Sequence, residues 1–188
     1  LKVLLSIGGW GSGRFSEMAA NDEYRRAFAA DCDRVVKEFA LDGIDIDWEY
    51  PTSSMANISS SPDDTENFTL LMQDIRAAIG NEKELTLATV ASARYIDFKA
   101  ILPSVDFVNI MAYDMASAPK HHSALYPSGH SGDITSDGAV TAHLKAGVPP
   151  SKLVMGMPFY GRGGDGYPSF QDYNTVSYTH LTLPTKRI

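Results

Sequence analysis

Two rhythms of hydrophobic and polar positions run along the chain. Short apolar runs at residues 3–7, 85–90, 107–113 and 153–158, and an alternating stretch at 41–50, read as strands. Between them lie segments with helical spacing. Residues 21–39 carry Tyr24, Phe28, Val35, Val36 and Phe39 as the apolar set, with Asn21 or Asp22 as the cap. Ser61-Pro62-Asp63-Asp64 predicts a helix start with Ser61 as cap and Pro62 in the first turn, and that helix runs to about Ile79 before Gly80. A short helix is expected over 98–102 and another over 139–146, ending at Gly147. Strands alternating with helices predict an α/β fold whose parallel sheet is covered on both faces. Ser6 and Trp10, Asp47 and Glu49, Tyr113 and Asp114, and Tyr160 and Arg162 all fall at or just beyond the C-terminal ends of predicted strands. Parallel α/β folds build their active sites there.

Composition narrows the reading. With 44% hydrophobic and 21% charged residues the chain is an ordinary globular one, and no run of eighteen apolar residues is present to cross a membrane. Sixteen basic against 23 acidic residues give a net charge of −7, and without a Lys/Arg cluster this argues against nucleic-acid and anionic-membrane partners. No strand leads into a Gly-x-Gly-x-x-Gly loop, so dinucleotide binding has no support. The single cysteine, Cys32, reads as a packed helix residue rather than a reactive thiol. At 188 residues the chain fits one domain but falls short of the ~250 residues of a complete eight-stranded barrel. Leu1-Lys2-Val3 already reads as strand, so residue 1 is expected to be a cut inside a longer protein.

The stretch Asp42-Gly43-Ile44-Asp45-Ile46-Asp47-Trp48-Glu49-Tyr50 carries the chemistry. On a strand Asp45, Asp47 and Glu49 share one face, while Ile44, Ile46 and Trp48 share the other and pack on helices. Carboxylates crowded on an inner face must find partners or stay protonated, and their mutual repulsion raises pKa values, as suits a proton donor near neutral pH. A solvated edge strand does not fit the buried-type strands on either side. A calcium loop does not fit either, because Trp48 stands where a turn glycine is needed.

The pattern Asp42-x-x-Asp45-x-Asp47-x-Glu49 resembles the active-site strand of glycoside hydrolase family 18, the chitinases and their relatives. Three further segments resemble that family in order: Ser6-Ile7-Gly8-Gly9-Trp10, Met111-Ala112-Tyr113-Asp114, and Met155-Gly156-Met157-Pro158-Phe159-Tyr160-Gly161-Arg162. The resemblance implies a fragment of a (β/α)8 barrel, approximately strands three to seven, over residues 1–175. It implies hydrolysis of β-1,4 links between N-acetylglucosamine units, with retention and with the substrate's own 2-acetamido oxygen as nucleophile.

In that scheme Glu49 is the general acid/base. Asp47 holds the acetamido N–H, Asp45 tunes Asp47, and Tyr113 hydrogen-bonds the acetamido carbonyl. Trp10, Tyr50, Asp114, Tyr160 and Arg162 contact sugar. Ser6 supports Asp45, Asp42 is structural, and Trp48 is core. Chitin or an N-acetylglucosamine oligosaccharide is the implied partner, with no cofactor and no metal, and secretion follows only from the insoluble substrate. Endo-β-N-acetylglucosaminidase action on glycan cores and a non-hydrolytic lectin are the competing readings; Glu49, usually lost in the lectins, speaks against the second. His121-His122 reads as a surface or substrate-loop pair, and residues 161–166 as a Gly-rich turn.

The pattern has gaps. The family's first two strands and the floor tryptophan of the eighth are not identifiable, the only tryptophans being Trp10 and Trp48. Residues 176–188 resemble a translated sequencing adapter and are expected to be a non-native tail. An open barrel leaves sheet edges unpaired and a wall of the sugar site missing, so this span alone is expected to be inactive.

Overall fold

The structure is a computed structural model that describes residues 1–162 and 171–172. The predicted tail at 176–188, and the part of the Gly-rich turn beyond residue 162, lie outside the described residues. The chain begins with β1 (Leu4–Gly8), α1 (Phe15–Ala19), α2 (Asp22–Glu38) and β2 (Gly43–Asp47). It continues with α3 (Asp64–Ile79), β3 (Glu84–Val90), α4 (Phe98–Ile101), β4 (Phe107–Met111), α5 (Ser136–Lys145) and β5 (Leu153–Met155). A two-stranded antiparallel pair, β6 (Tyr160–Gly161) with β7 (Gln171–Asp172), follows.

Strands β1 to β5 pair side by side in chain order, and every pairing is parallel. Parallel neighbours need crossovers, and the helices between the strands supply them. The sheet's helix-facing side carries Ile44, Ile46, Leu85, Leu87 and Val108, all fully buried. They form one core with Phe68, Leu71, Met72 and Ile75 of α3 and Val36 of α2. Trp48 joins that core as expected, stacked on Phe15 (5.4 Å) and edge-on to Phe68 (5.6 Å). Five consecutive parallel strands with helices over one side make an α/β architecture, a partial (β/α)8 barrel. Among the described residues, β1 and β5 are the outer strands of this sheet, and Leu5 and Val154 on them are exposed.

Several boundaries and faces differ from the expectation. Of the predicted apolar stripe, Val36 is buried and Phe28 packs on the core, but Tyr24 and Phe39 are 58% and 64% exposed; Arg25, Ala29 and Cys32 complete the buried face of α2. Arg25 rotates the pattern. Its Nε donates to Asp74 (3.0 Å), its Nη1 to the Ala19 carbonyl (2.8 Å), and its other terminal nitrogen pairs with Asp22, so a charged residue occupies a core-facing position. Cys32 is packed as predicted, and burial pushes its thiol pKa up to about 12.

Helix α3 begins at Asp64, not after Ser61, because the Ser61 hydroxyl accepts from Asp63 N–H (3.3 Å) in a local turn and caps nothing. Strand β2 stops at Asp47, three residues before Tyr50, while β4 ends at Met111 and β5 at Met155. Helix α1 and the β6–β7 pair were not anticipated by periodicity, both being too short to show one.

Candidate active site

Asp45 is the hub of the sheet's inner face. Ser6 of β1 and Thr86 of β3 stand in register with it on either side. The Ser6 hydroxyl donates to Asp45 Oδ2 (2.7 Å), and the Thr86 hydroxyl (2.5 Å) and the Asn109 amide of β4 (3.1 Å) donate to Oδ1. Four strands thus converge on one carboxylate. Asp42 lies outside this cluster, accepting from Val3 N–H (2.6 Å) at the start of the β1–β2 pairing.

Asp47 ends β2 two residues on. The Gly9 N–H donates to its carbonyl (2.8 Å), and a Cβ added at Gly8 would meet that carbonyl oxygen at 2.0 Å. Only glycine lets β1 approach the acid strand this closely, and Gly8 also holds φ +126°, a conformation that side chains resist. Asp47 Oδ1 is buried with no hydrogen-bond partner among the described residues. Burial, then the charges of Glu49 and Asp45, raises the Asp47 pKa to about 7. Glu49 stands just past the strand. Burial raises its pKa too, the Tyr50 hydroxyl offsets part of this, and the Asp114 charge adds to it. Like-charge repulsion is therefore present as expected, but desolvation is the larger cause at both residues.

The turn that carries Glu49 is held from below by Asp64. This fully buried carboxylate accepts from Thr52 N–H (3.1 Å), Ser61 N–H (2.7 Å) and the Ser16 hydroxyl (2.7 Å). Above the turn, Tyr50 stacks on Tyr95 (5.4 Å) and meets Trp10 edge-on (6.4 Å). Trp10 is 60% exposed, so it is not a core residue. A cluster of three aromatic rings results, with Trp10 as its exposed member and Tyr50 and Tyr95 half-buried.

Tyr113 follows β4. Burial is the main cause that raises its hydroxyl pKa, with the charges of Asp47, Glu49, Asp114 and Asp45 behind it, so the group remains an O–H donor at neutral pH. Asp114 is gathered from a different direction. Arg162 Nε donates to its Oδ1 (2.6 Å), a second guanidinium nitrogen pairs with Oδ2, and the Tyr160 hydroxyl donates to Oδ2 (2.8 Å). Burial would raise the Asp114 pKa, but these donors and the Arg162 charge outweigh it and hold the carboxyl below its usual range. Tyr160 also meets Tyr113 edge-on (6.2 Å), tying this group to the acid row.

Of the two alternatives for the His121-His122 pair, surface or substrate loop, His122 does not fit the surface one. It is 5% exposed, its ring stacks on Tyr160 (5.4 Å), and its Nδ1 accepts from Asp114 N–H (3.2 Å). Burial lowers its pKa, although the Asp114 charge opposes this. Thr86, Asn109 and Tyr95 were also missed as site neighbours. Strand parity points to the first two once the register is known; nothing local marks Tyr95, which reaches Tyr50 only through the fold. Among the described residues no group of three His, Cys, Asp or Glu side chains is placed to hold a metal ion.

The chain's likeness to known proteins accords with this geometry. Residues 1–182 match the model of glycosyl hydrolases family 18. Chitinase A1 of Niallia circulans is 38% identical over 88% of this chain and 27% of its own length, and chitotriosidase-1 of Mus musculus 37% over 86% and 39%. Among solved structures, the chitinase domain of the spore coat protein CotE from Clostridium difficile superposes with a TM-score of 0.88 at 38% identity, covering 98% of this chain and 56% of that one. A family 18 N-acetylglucosaminidase from Paenibacillus barengoltzii gives 0.83 at 35%, covering 95% and 61%. The chain thus spans between 27% and 39% of those two relatives' lengths and little more than half of the two structures. With an acid row along and just past β2, its Asp45 bonded from β1, β3 and β4, and a family match over nearly its whole length, the chain belongs to glycosyl hydrolases family 18.

Proposed function

We propose that the protein bearing this chain hydrolyses β-1,4 links between N-acetylglucosamine units of chitin or chito-oligosaccharides, with retention of configuration. The observation that carries this reading is the acid row itself: Asp45 held by donors from β1, β3 and β4, Asp47 buried two residues on, and Glu49 at the mouth of the same strand, the last two with pKa values raised by burial. Protonated Glu49 donates its proton to the leaving glycosidic oxygen. The 2-acetamido carbonyl oxygen attacks C1 from the other side and closes an oxazolinium ion. Glu49, now a carboxylate, takes a proton from the water that opens it. An intramolecular nucleophile needs orientation more than activation. Asp47 supplies that orientation by accepting the acetamido N–H, and the Tyr113 hydroxyl donates to the acetamido carbonyl.

Asp45, held by Ser6, Thr86 and Asn109, supports Asp47 from the base of the row. Fixed carboxylates in a poorly hydrated site stabilise the cationic transition state. Trp10 and Tyr50 stack on sugar, and Asp114, set by Tyr160 and Arg162, accepts from a sugar hydroxyl. Chitinase A1 and the CotE chitinase domain among the relatives support chitin as substrate, and an insoluble substrate favours an enzyme outside the cell. The likeness to an N-acetylglucosaminidase favours a second reading, release of single N-acetylglucosamine units by the same chemistry. The test is the anomer formed at first turnover, read by proton NMR on chito-oligosaccharides beside cello-oligosaccharides. The β-anomer from the first and no cleavage of the second, which lack the acetamido group, is the expected result.

A further inference from the structure

Asp114 occupies an awkward place. Its backbone sits at φ +54°, in the left-handed region that non-glycine residues enter at a cost, and its carboxylate must face Tyr160 and Arg162. The segment His122-Ser123 grips this turn at three main-chain points. His122 Nδ1 accepts from Asp114 N–H (3.2 Å), the His122 carbonyl accepts from Met115 N–H (2.9 Å), and the Ser123 hydroxyl donates to the Ala112 carbonyl (2.9 Å). The imidazole is buried, and its Nδ1 lies 3.2 Å from both the Asp114 backbone nitrogen and Asp114 Oδ1, so the main chain and the carboxylate of Asp114 face the same ring nitrogen.

We propose that His122 is a positioning residue: its Nδ1 and carbonyl lock the Asp114–Met115 turn and thereby aim the Asp114 carboxylate at bound sugar. The aim at sugar rests on the function proposed above; the lock does not.

Three variants of the whole protein separate the two claims. His122→Phe keeps the ring and its stack on Tyr160 but deletes the acceptor. His122→Asn places its amide oxygen where Nδ1 stands, and His122→Gln places it one carbon too far. Amide hydrogen exchange at Asp114 is expected to accelerate about tenfold or more in His122→Phe and His122→Gln and to stay near wild type in His122→Asn. KM for a chito-oligosaccharide is expected to rise about five- to tenfold in the first two, with kcat within about twofold, and to be rescued in the third. Should His122→Phe not fold, the Asn and Gln pair alone decides the question. Unchanged exchange in His122→Gln, or equal exchange in the Asn and Gln variants, overturns the lock. Faster exchange with unchanged KM upholds the lock and overturns Asp114 as a sugar ligand.

Discussion

The Ser6 hydroxyl donates to Asp45 across the first strand pair at 2.7 Å, and the register Ser6↔Asp45↔Thr86 makes the contact a product of parallel pairing. Ser6→Ala leaves Asp45 with two donors. On the proposed mechanism this weakens the support of Asp47, so kcat is expected to fall about tenfold with KM within about twofold, the loss of one charge-assisted hydrogen bond. Steady-state kinetics on the whole enzyme checks it, and an unchanged kcat contradicts it.

The raised Asp47 pKa makes stability depend on pH. Its folded value of about 7 lies above the ordinary 3.8, so the fold disfavours the ionised form. That contribution is complete below the ordinary value and is lost as pH climbs from about 4 through 7. Asp47→Asn removes it. The wild-type Tm minus the variant Tm is therefore expected to fall between pH 4 and pH 7.5; a constant difference contradicts a buried Asp47 whose ionisation the fold disfavours.

Gly8 and Gly80 both hold positive φ, at +126° and +74°, yet only Gly8 is crowded. A Cβ at Gly8 meets the Asp47 carbonyl oxygen at 2.0 Å, while one at Gly80 meets nothing within 4 Å. Gly80→Ala is expected to cost about 1–3 kcal/mol from backbone strain alone, because φ +74° with ψ −179° is a region that essentially only glycine enters. Gly8→Ala is expected to cost at least ~3 kcal/mol, since β1 must withdraw from the acid strand. Urea denaturation of both variants compares them; equal losses contradict the close approach.

Asp64→Ala strands three buried or half-buried donors, the Ser16 hydroxyl and the amides of Thr52 and Ser61. A loss of about 2–4 kcal/mol is expected, read as a lowered urea midpoint. A loss below ~1 kcal/mol contradicts its role as the anchor of the Glu49 turn.

Much of the site was legible because strand parity needs no tertiary knowledge. Alternation along β2 put Asp45 and Asp47 on one face and Ile44 and Trp48 on the other, and the structure agrees. What periodicity missed depends on contacts distant in sequence. Arg25 reads as a solvent residue until Asp74, 49 residues away, and the Ala19 carbonyl are seen to receive it. His122 reads as a loop residue because nothing near it signals the left-handed Asp114 turn that it grips. Tyr95 meets Tyr50 from a loop beyond another strand. Ser61 failed as a cap because the same residues offered a tighter local turn.

The central claim is that Glu49 moves the proton at the glycosidic oxygen. Glu49→Gln keeps the shape and removes the acid. Turnover of a chito-oligosaccharide by the whole enzyme, measured beside its Kd from calorimetry, tests this directly. A fall in kcat of about 10³-fold or more with Kd within about threefold is the predicted result. Turnover within about tenfold of wild type would contradict the account.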